Sequence, residues 1–355
     1  MISRVPPNAR PLLAAFLAAS ALAAAIYAGS SRLRHFDPAV VWYAAGSLAA
    51  CFAIVWRFTF WAQRPPTRLY LRRGLQLLHL RRQHPAPHRN ASAHPLLTAG
   101  HSTLVNFAGQ RFIRRRGSYR WIMHLCLSGG CTLAFAITFP LVFGWVHFEP
   151  APDGTSYIVN LLGLNLRRFN VHGIEASLVF NLLNLSAVIV LAGLCMAAWR
   201  RLTDPGERAT QRFTEDILPL LLIFAVTATG LLMTVSYKFL DGRGHGIVAI
   251  THTASVIALL LFIPFGKLFH MFQRVTALCV SLYQRAGHQD PPATCRRCGS
   301  PFASPMHVAD LKTVLDQLGF NYRYALADAD LHYQDICPPC RRRLLALNQG
   351  RTLGR

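Results

Sequence analysis

Residues 246–272 read GIVAITHTASVIALLLFIPFGKLFHMF, a run in which Lys267 is the only Lys, Arg, Asp or Glu. A helix of about 20 predominantly apolar residues crosses the hydrocarbon core of a bilayer, so this stretch is long enough to span one. Five other runs share its character: 11–29, 38–62 (interrupted by Arg57), 121–148, 172–199 and 217–237. Each is continuous rather than alternating with period two, which excludes the strands of a membrane barrel. The expected fold class is all-α, a polytopic transmembrane bundle of about six helices, with a small cytoplasmic metal-binding tail. Residues 11–29 also read as a cleaved leader, with Arg4 and Arg10 before the apolar stretch and Ala28-Gly29 closing it.

Composition agrees with a membrane protein. Of 355 residues, 52% are hydrophobic and only 15% charged, where soluble domains carry about 25% charged residues. A net charge of +22 would suit nucleic acid if it formed a patch on a soluble surface. Here the arginines flank the apolar runs, where the positive-inside rule accounts for them, and no nucleic-acid partner is expected. Thirteen arginines and no acidic residue lie between Arg57 and Arg120. That loop is expected in the cytoplasm of a plasma or inner membrane, with both termini on the same side. Its histidines, His79, His84, His88, His94 and His101, are irregularly spaced and read as part of a solvated basic loop rather than a metal site. The expected organisation is two spans in 1–62, the basic loop in 63–120, a four-span core in 121–284 and a tail domain in 285–355.

Ionisable residues within spans are expensive and mark functional sites. His252 and His270 are eighteen residues apart, five whole turns of an ideal helix, so one uninterrupted helix would carry both on one face about 27 Å apart. That places one imidazole near each membrane surface, the arrangement two stacked haems require. Axial partners must come from other helices. His124 begins the third run at the depth of His270, and the two make the expected inner pair. Near the outer surface His147, His172 and His245 are within reach of His252. His147 falls about 140° around the helix from His124, whereas His172 opens the fourth run, so His172 is the expected outer partner. The competing reading treats these histidines as hydrogen-bonding core residues.

The stretch from His252 to Phe272, with Pro264-Phe265-Gly266-Lys267-Leu268-Phe269-His270 at its centre, resembles the last helix of the respiratory nitrate reductase gamma subunit and of related heterodisulfide reductase cytochrome b subunits. Residues 208–232 look like the preceding helix of that family, and 120–130, with His124, like its early ligand helix. The resemblance covers roughly 119–273 and implies one or two haems b. It further implies electron transfer from quinol to cytoplasmic iron–sulfur and molybdenum oxidoreductase subunits. One departure stands out: the family's second histidine, ten residues after the first, is here Ala134. Asp216, Lys238 and Arg243 near span ends are candidates for a quinone headgroup, with capping roles as the commoner alternative.

Cys51, Cys126, Cys131, Cys195 and Cys279 lie in or beside apolar runs and read as small hydrophobes. The other four form Cys295-Arg296-Arg297-Cys298-Gly299 and Cys337-Pro338-Pro339-Cys340, a metal-binding spacing. Zn2+ is the expected ion because four thiolates close a tetrahedral structural site. Iron, in a rubredoxin-like centre or a cluster, is the alternative, and disulfides are disfavoured in a reducing compartment. Two rival functions remain at this stage: a transporter, against which no inverted repeat or broken helix pair is visible, and a sensor or scaffold with a zinc tail and structural histidines.

Overall fold

In the computed structural model residues 9–83, 109–320, 322–326, 329–352 and 354 are described. Among the described residues six helices are long and apolar enough to cross a membrane: Ala9–Gly29 (α1), Val41–Ala62 (α2), Ser118–Val142 (α4), Ile174–Thr203 (α5), Leu218–Phe239 (α6) and His245–Phe262 (α7). A shorter polar helix, Pro65–Gln83 (α3), follows α2. Three more helices lie near the C-terminus, Ala277–Gly287 (α8), Pro305–Gln317 (α9) and Pro338–Thr352 (α10). The chain divides into two units, Met1–Thr59 with Gly100–Met271, and Phe60–Ala99 with Phe272–Arg355.

Within the first unit the spans contact one another in a cycle. Phe16 meets Phe52 edge-on at 4.9 Å, joining α1 to α2. The Tyr43 and Thr253 hydroxyls lie 2.7 Å apart and join α2 to α7. Thr234 Oγ1 donates to Asn184 Oδ1 at 2.9 Å between α6 and α5. Small residues let α4 and α5 approach closely, as is common between membrane helices: a Cβ at Gly130 would stand 2.6 Å from Val190, and one at Gly193 2.9 Å from Leu127. Phe143, just past α4, closes the cycle against Ile26 of α1 and Ala44 of α2.

Two expectations need correction. The run 121–148 is not one helix: Pro140 lies in its last turn, α4 stops at Val142 and Gly144 turns the chain at φ +68°. An antiparallel meander follows, Val146–Pro150 (β1), Ser156–Leu161 (β2) and Leu164–Asn170 (β3), so the fold is mostly helical rather than all-α. Leu162 and Gly163 make the β2–β3 turn with both φ positive, the geometry that matches strand twist in a tight hairpin. Phe148, Tyr157 and Phe169 cluster around Phe180 of α5, which anchors the sheet. The run 246–272 is likewise broken. Pro264 has no N–H to continue the ladder, α7 ends at Phe262, and His270 opens a separate short helical turn. His252 and His270 therefore do not share one helix, and the five-turn phase relation does not apply.

The second unit takes in part of the expected basic loop. Helix α3 packs on α8: Tyr70 meets Tyr283 edge-on at 5.0 Å, and Gly74 lies so close to Cys279 that a Cβ there would be 2.6 Å from its Cα. Helix α9 joins through Asp310, which accepts from Arg73 Nη2 and from the Tyr283 hydroxyl, both at 2.9 Å. Around this lie two hairpins, Ala293–Thr294 (β4) with Pro301–Ala303 (β5), and Arg323–Leu326 (β6) with Ala329–His332 (β7). His84, His88, His94 and His101, and the side chain of His79, lie outside the described residues.

Candidate functional site

The β4–β5 hairpin carries the first CxxC pair at its tip. Cys295 N–H donates to the Ser300 carbonyl at 2.9 Å and Gly299 N–H to the Cys295 carbonyl at 2.8 Å. Gly299 sits at φ +71°, a left-handed position that favours glycine. Cys337 and Cys340 flank the first turn of α10, whose N-terminal dipole favours thiolate. All four sulfurs converge within 4.8 Å of one another, with Cys298 Sγ and Cys337 Sγ 3.7 Å apart. Four thiolates at a Zn–S distance of about 2.3 Å stand about 3.8 Å from one another around a tetrahedral ion. The site fits a metal ion.

Its electrostatics point the same way. Burial pushes the Cys295 thiol up, but the N–H groups of Cys337 and Arg297, 3.2 and 3.4 Å from Sγ, help bring it down to about 6. Cys298 is lowered too, first by Ser300 Oγ at 3.3 Å. Cys340 goes the other way, pushed up to about 12 mainly by its hydrogen bond to Cys337 and by burial. Thiolates gathered this closely resist complete ionisation, and a bound dication removes that resistance.

The four histidines expected as haem ligands occupy different settings in the first unit. His124 on α4 has Nδ1 2.7 Å from Gln110 Oε1. Gln110, in turn, is buried and donates to Ser128, whose hydroxyl donates to the His124 carbonyl. His252 on α7 has Nδ1 2.9 Å from Thr229 Oγ1 of α6, and that hydroxyl donates to the Ala225 carbonyl. His270 has Nδ1 2.7 Å from the Lys267 carbonyl. Each Nδ1 therefore faces an oxygen, and with the proton on Nδ1 such an arrangement presents Nε2 as the ligand atom. Imidazoles that ligate iron or zinc are commonly oriented by such a bond on the far nitrogen.

No family model, curated protein or solved structure matches the chain. Its function rests on its own geometry.

His172, the expected outer partner, and the other outer histidines occupy different places. His172 is exposed on the turn between β3 and α5, where its N–H donates to Asn170 Oδ1 at 2.8 Å. His147 is on β1 rather than on the helix of His124. His245 opens α7, and its buried Nδ1 has no hydrogen-bond partner. Two of the candidate quinone contacts, Asp216 and Lys238, make local bonds. Asp216 accepts from Arg212 N–H at 2.9 Å and pairs with Lys267, while Lys238 donates to Asn181 at 2.9 Å. Sequence reasoning missed Gln110 and Thr229 as orienting groups, because their pairing with histidine is made only by the fold. It also passed over His35 and Glu149, which converge with His147. The one sequence signal for that cluster was the alternation His147-x-Glu149.

Proposed function

We propose that the chain is a membrane cytochrome b subunit that passes electrons from quinol to a cytoplasmic oxidoreductase partner of iron–sulfur or molybdenum type. The observation that carries this reading is the common hydrogen-bond arrangement of His124, His252 and His270, each held through Nδ1 by an oxygen acceptor. His124 and His270 would hold an inner haem b, and His252 an outer one. For the outer haem, His172 is the sequence candidate for the opposite axial position, and its exposed turn makes the inner pair the firmer part of the reading. Bound haem would supply reversible one-electron carriage between quinol and the partner. The protein's part is to fix ligand orientation and burial, which set the potential. The Arg distribution supports a plasma or inner membrane with both termini cytoplasmic.

A dithionite-reduced minus oxidised spectrum of the purified protein tests it. A b-type α-band is expected, and His270→Ala should remove the inner haem's share. Absence of any such band sinks the reading and favours the sensor or scaffold alternative, in which locally hydrogen-bonded histidines are structural.

For the four cysteines we favour zinc, because all four positions are closed by protein and one pair opens a helix. Metal analysis of the full chain should find zinc that Cys337→Ser releases. Iron and visible colour lost with that substitution would instead make the tail an electron carrier.

A further inference from the structure

His35, His147 and Glu149 each bring a ligand atom within 4.8 Å of the other two, in the first unit and well separated in sequence from the cysteines. His147 and Glu149 alternate along β1, so the pleat sets both on one face, and Nε2 lies 3.0 Å from Oε1. His35 comes from the turn after α1, and its ring stacks on His147 with centroids 4.0 Å apart and planes 13° from parallel.

The turn that delivers His35 is constrained from both sides. Fully buried Ser30 donates through Oγ to the Ile26 carbonyl at 2.7 Å and accepts from Leu33 N–H at 3.0 Å. His35 N–H returns to the Ser30 carbonyl at 3.2 Å. Between them Ser31, Arg32 and Leu33 all have positive φ, at 52°, 61° and 66°, a costly run for non-glycine residues that persists only where the surroundings over-determine it. Across the gap, a Cβ at Gly144 would stand 2.5 Å from the His35 carbonyl oxygen. The His147 side chain is only 17% exposed, and its Nδ1 is buried with no hydrogen-bond partner. Buried ring nitrogens are rarely left so.

We propose that these three residues form a second metal site, for a divalent transition cation of the zinc–copper class. Two imidazoles and a carboxylate make a nitrogen–oxygen donor set that zinc accepts with one position left to solvent, unlike the closed all-sulfur set of the tail. A cation lies in the plane of each imidazole that holds it. Binding therefore turns one of the stacked rings about its broad χ2 torsion, while the half-exposed Glu149 swings to meet it. The site is independent of the haem reading.

The test uses the full chain, free of any polyhistidine tag, equilibrated in detergent with low micromolar Zn2+ and assayed for zinc per chain. Wild type is expected to hold one equivalent more than His147→Ala and one more than His35→Phe. The phenylalanine keeps the ring stack but carries no ligand atom, so a purely structural stack predicts no loss there. X-ray absorption at the zinc edge should find imidazole scattering in the wild type that is missing from His35→Phe. Equal zinc in the wild type and His35→Phe, or unchanged scattering, overturns the proposal.

Discussion

Gln110 does two jobs through one buried amide: Oε1 accepts from His124 Nδ1 and Nε2 donates to Ser128. It stands at φ 49°, a backbone that non-glycine residues adopt only when something holds them there. Removing a group that orients a metal-bound imidazole typically costs about 10–100-fold in affinity. If His124 holds haem as proposed, Gln110→Leu is expected to lower haem occupancy per chain while far-ultraviolet circular dichroism keeps the helix content. Full occupancy in that variant would separate Gln110 from any ligand at His124. At this scale the histidines were legible in sequence, because an ionisable residue in an apolar run is conspicuous. Their partners were not. Gln110 lies fourteen residues before His124, Thr229 is on another helix, and nothing in either local pattern distinguishes them from ordinary polar residues.

At the scale of elements, the apolar runs were easy to find and their ends were not. Pro264 and Gly144 cut two runs that hydropathy alone leaves continuous, because the sheet residues Val146 and Phe148 and the post-helix residues Phe265 and Phe269 are as apolar as the helices they follow. The alternation in β1 and the Pro152-Asp153-Gly154 turn signal were present but short. Helix α3 was hidden for the opposite reason: its arginines read as a basic loop, and only the fold sets Tyr70, Arg73 and Gly74 against α8 and α9. That junction carries its own prediction. Burial, then the hydrogen bond to Asp310, raises the Tyr283 phenol above its usual value. Below about pH 10 the phenol is neutral whether the unit is folded or not, so the bond contributes in full. Above that, the unfolded chain ionises first and the contribution falls until the folded group ionises as well. Thermal melts should find Tyr283→Phe less stable at neutral pH, by about 1.5–3 kcal/mol for a bond to a charged acceptor. The gap should narrow as pH rises past 10. A gap that stays constant would mean that Tyr283 acts through packing alone.

Over the whole molecule the charge is distributed as unevenly as the hydropathy. Loops following even-numbered spans hold the dense arginines, thirteen in 57–120 and then Arg200, Arg201, Arg208 and Arg212. Loops following odd-numbered spans hold pairs: Arg32 and Arg34, Arg167 and Arg168, Lys238 and Arg243. Such a bias, counted near span ends, sets orientation because cationic segments resist translocation. On the proposed orientation, the β1–β3 sheet and the His35 cluster are expected on the sparse side, since they connect α4 to α5 and α1 to α2. The cysteine tail, which follows the last span, would on the same proposed orientation lie on the dense side, where a reducing environment would keep thiols available to a metal. Reporter fusions check both assignments at once. A fluorescent protein at the C-terminus should mature and alkaline phosphatase there should stay inactive. Phosphatase inserted at the exposed Leu162–Gly163 turn should be active. The reverse pattern would put the cysteines in an oxidising compartment, where paired disulfides rather than a metal would be the stable state of Cys295, Cys298, Cys337 and Cys340.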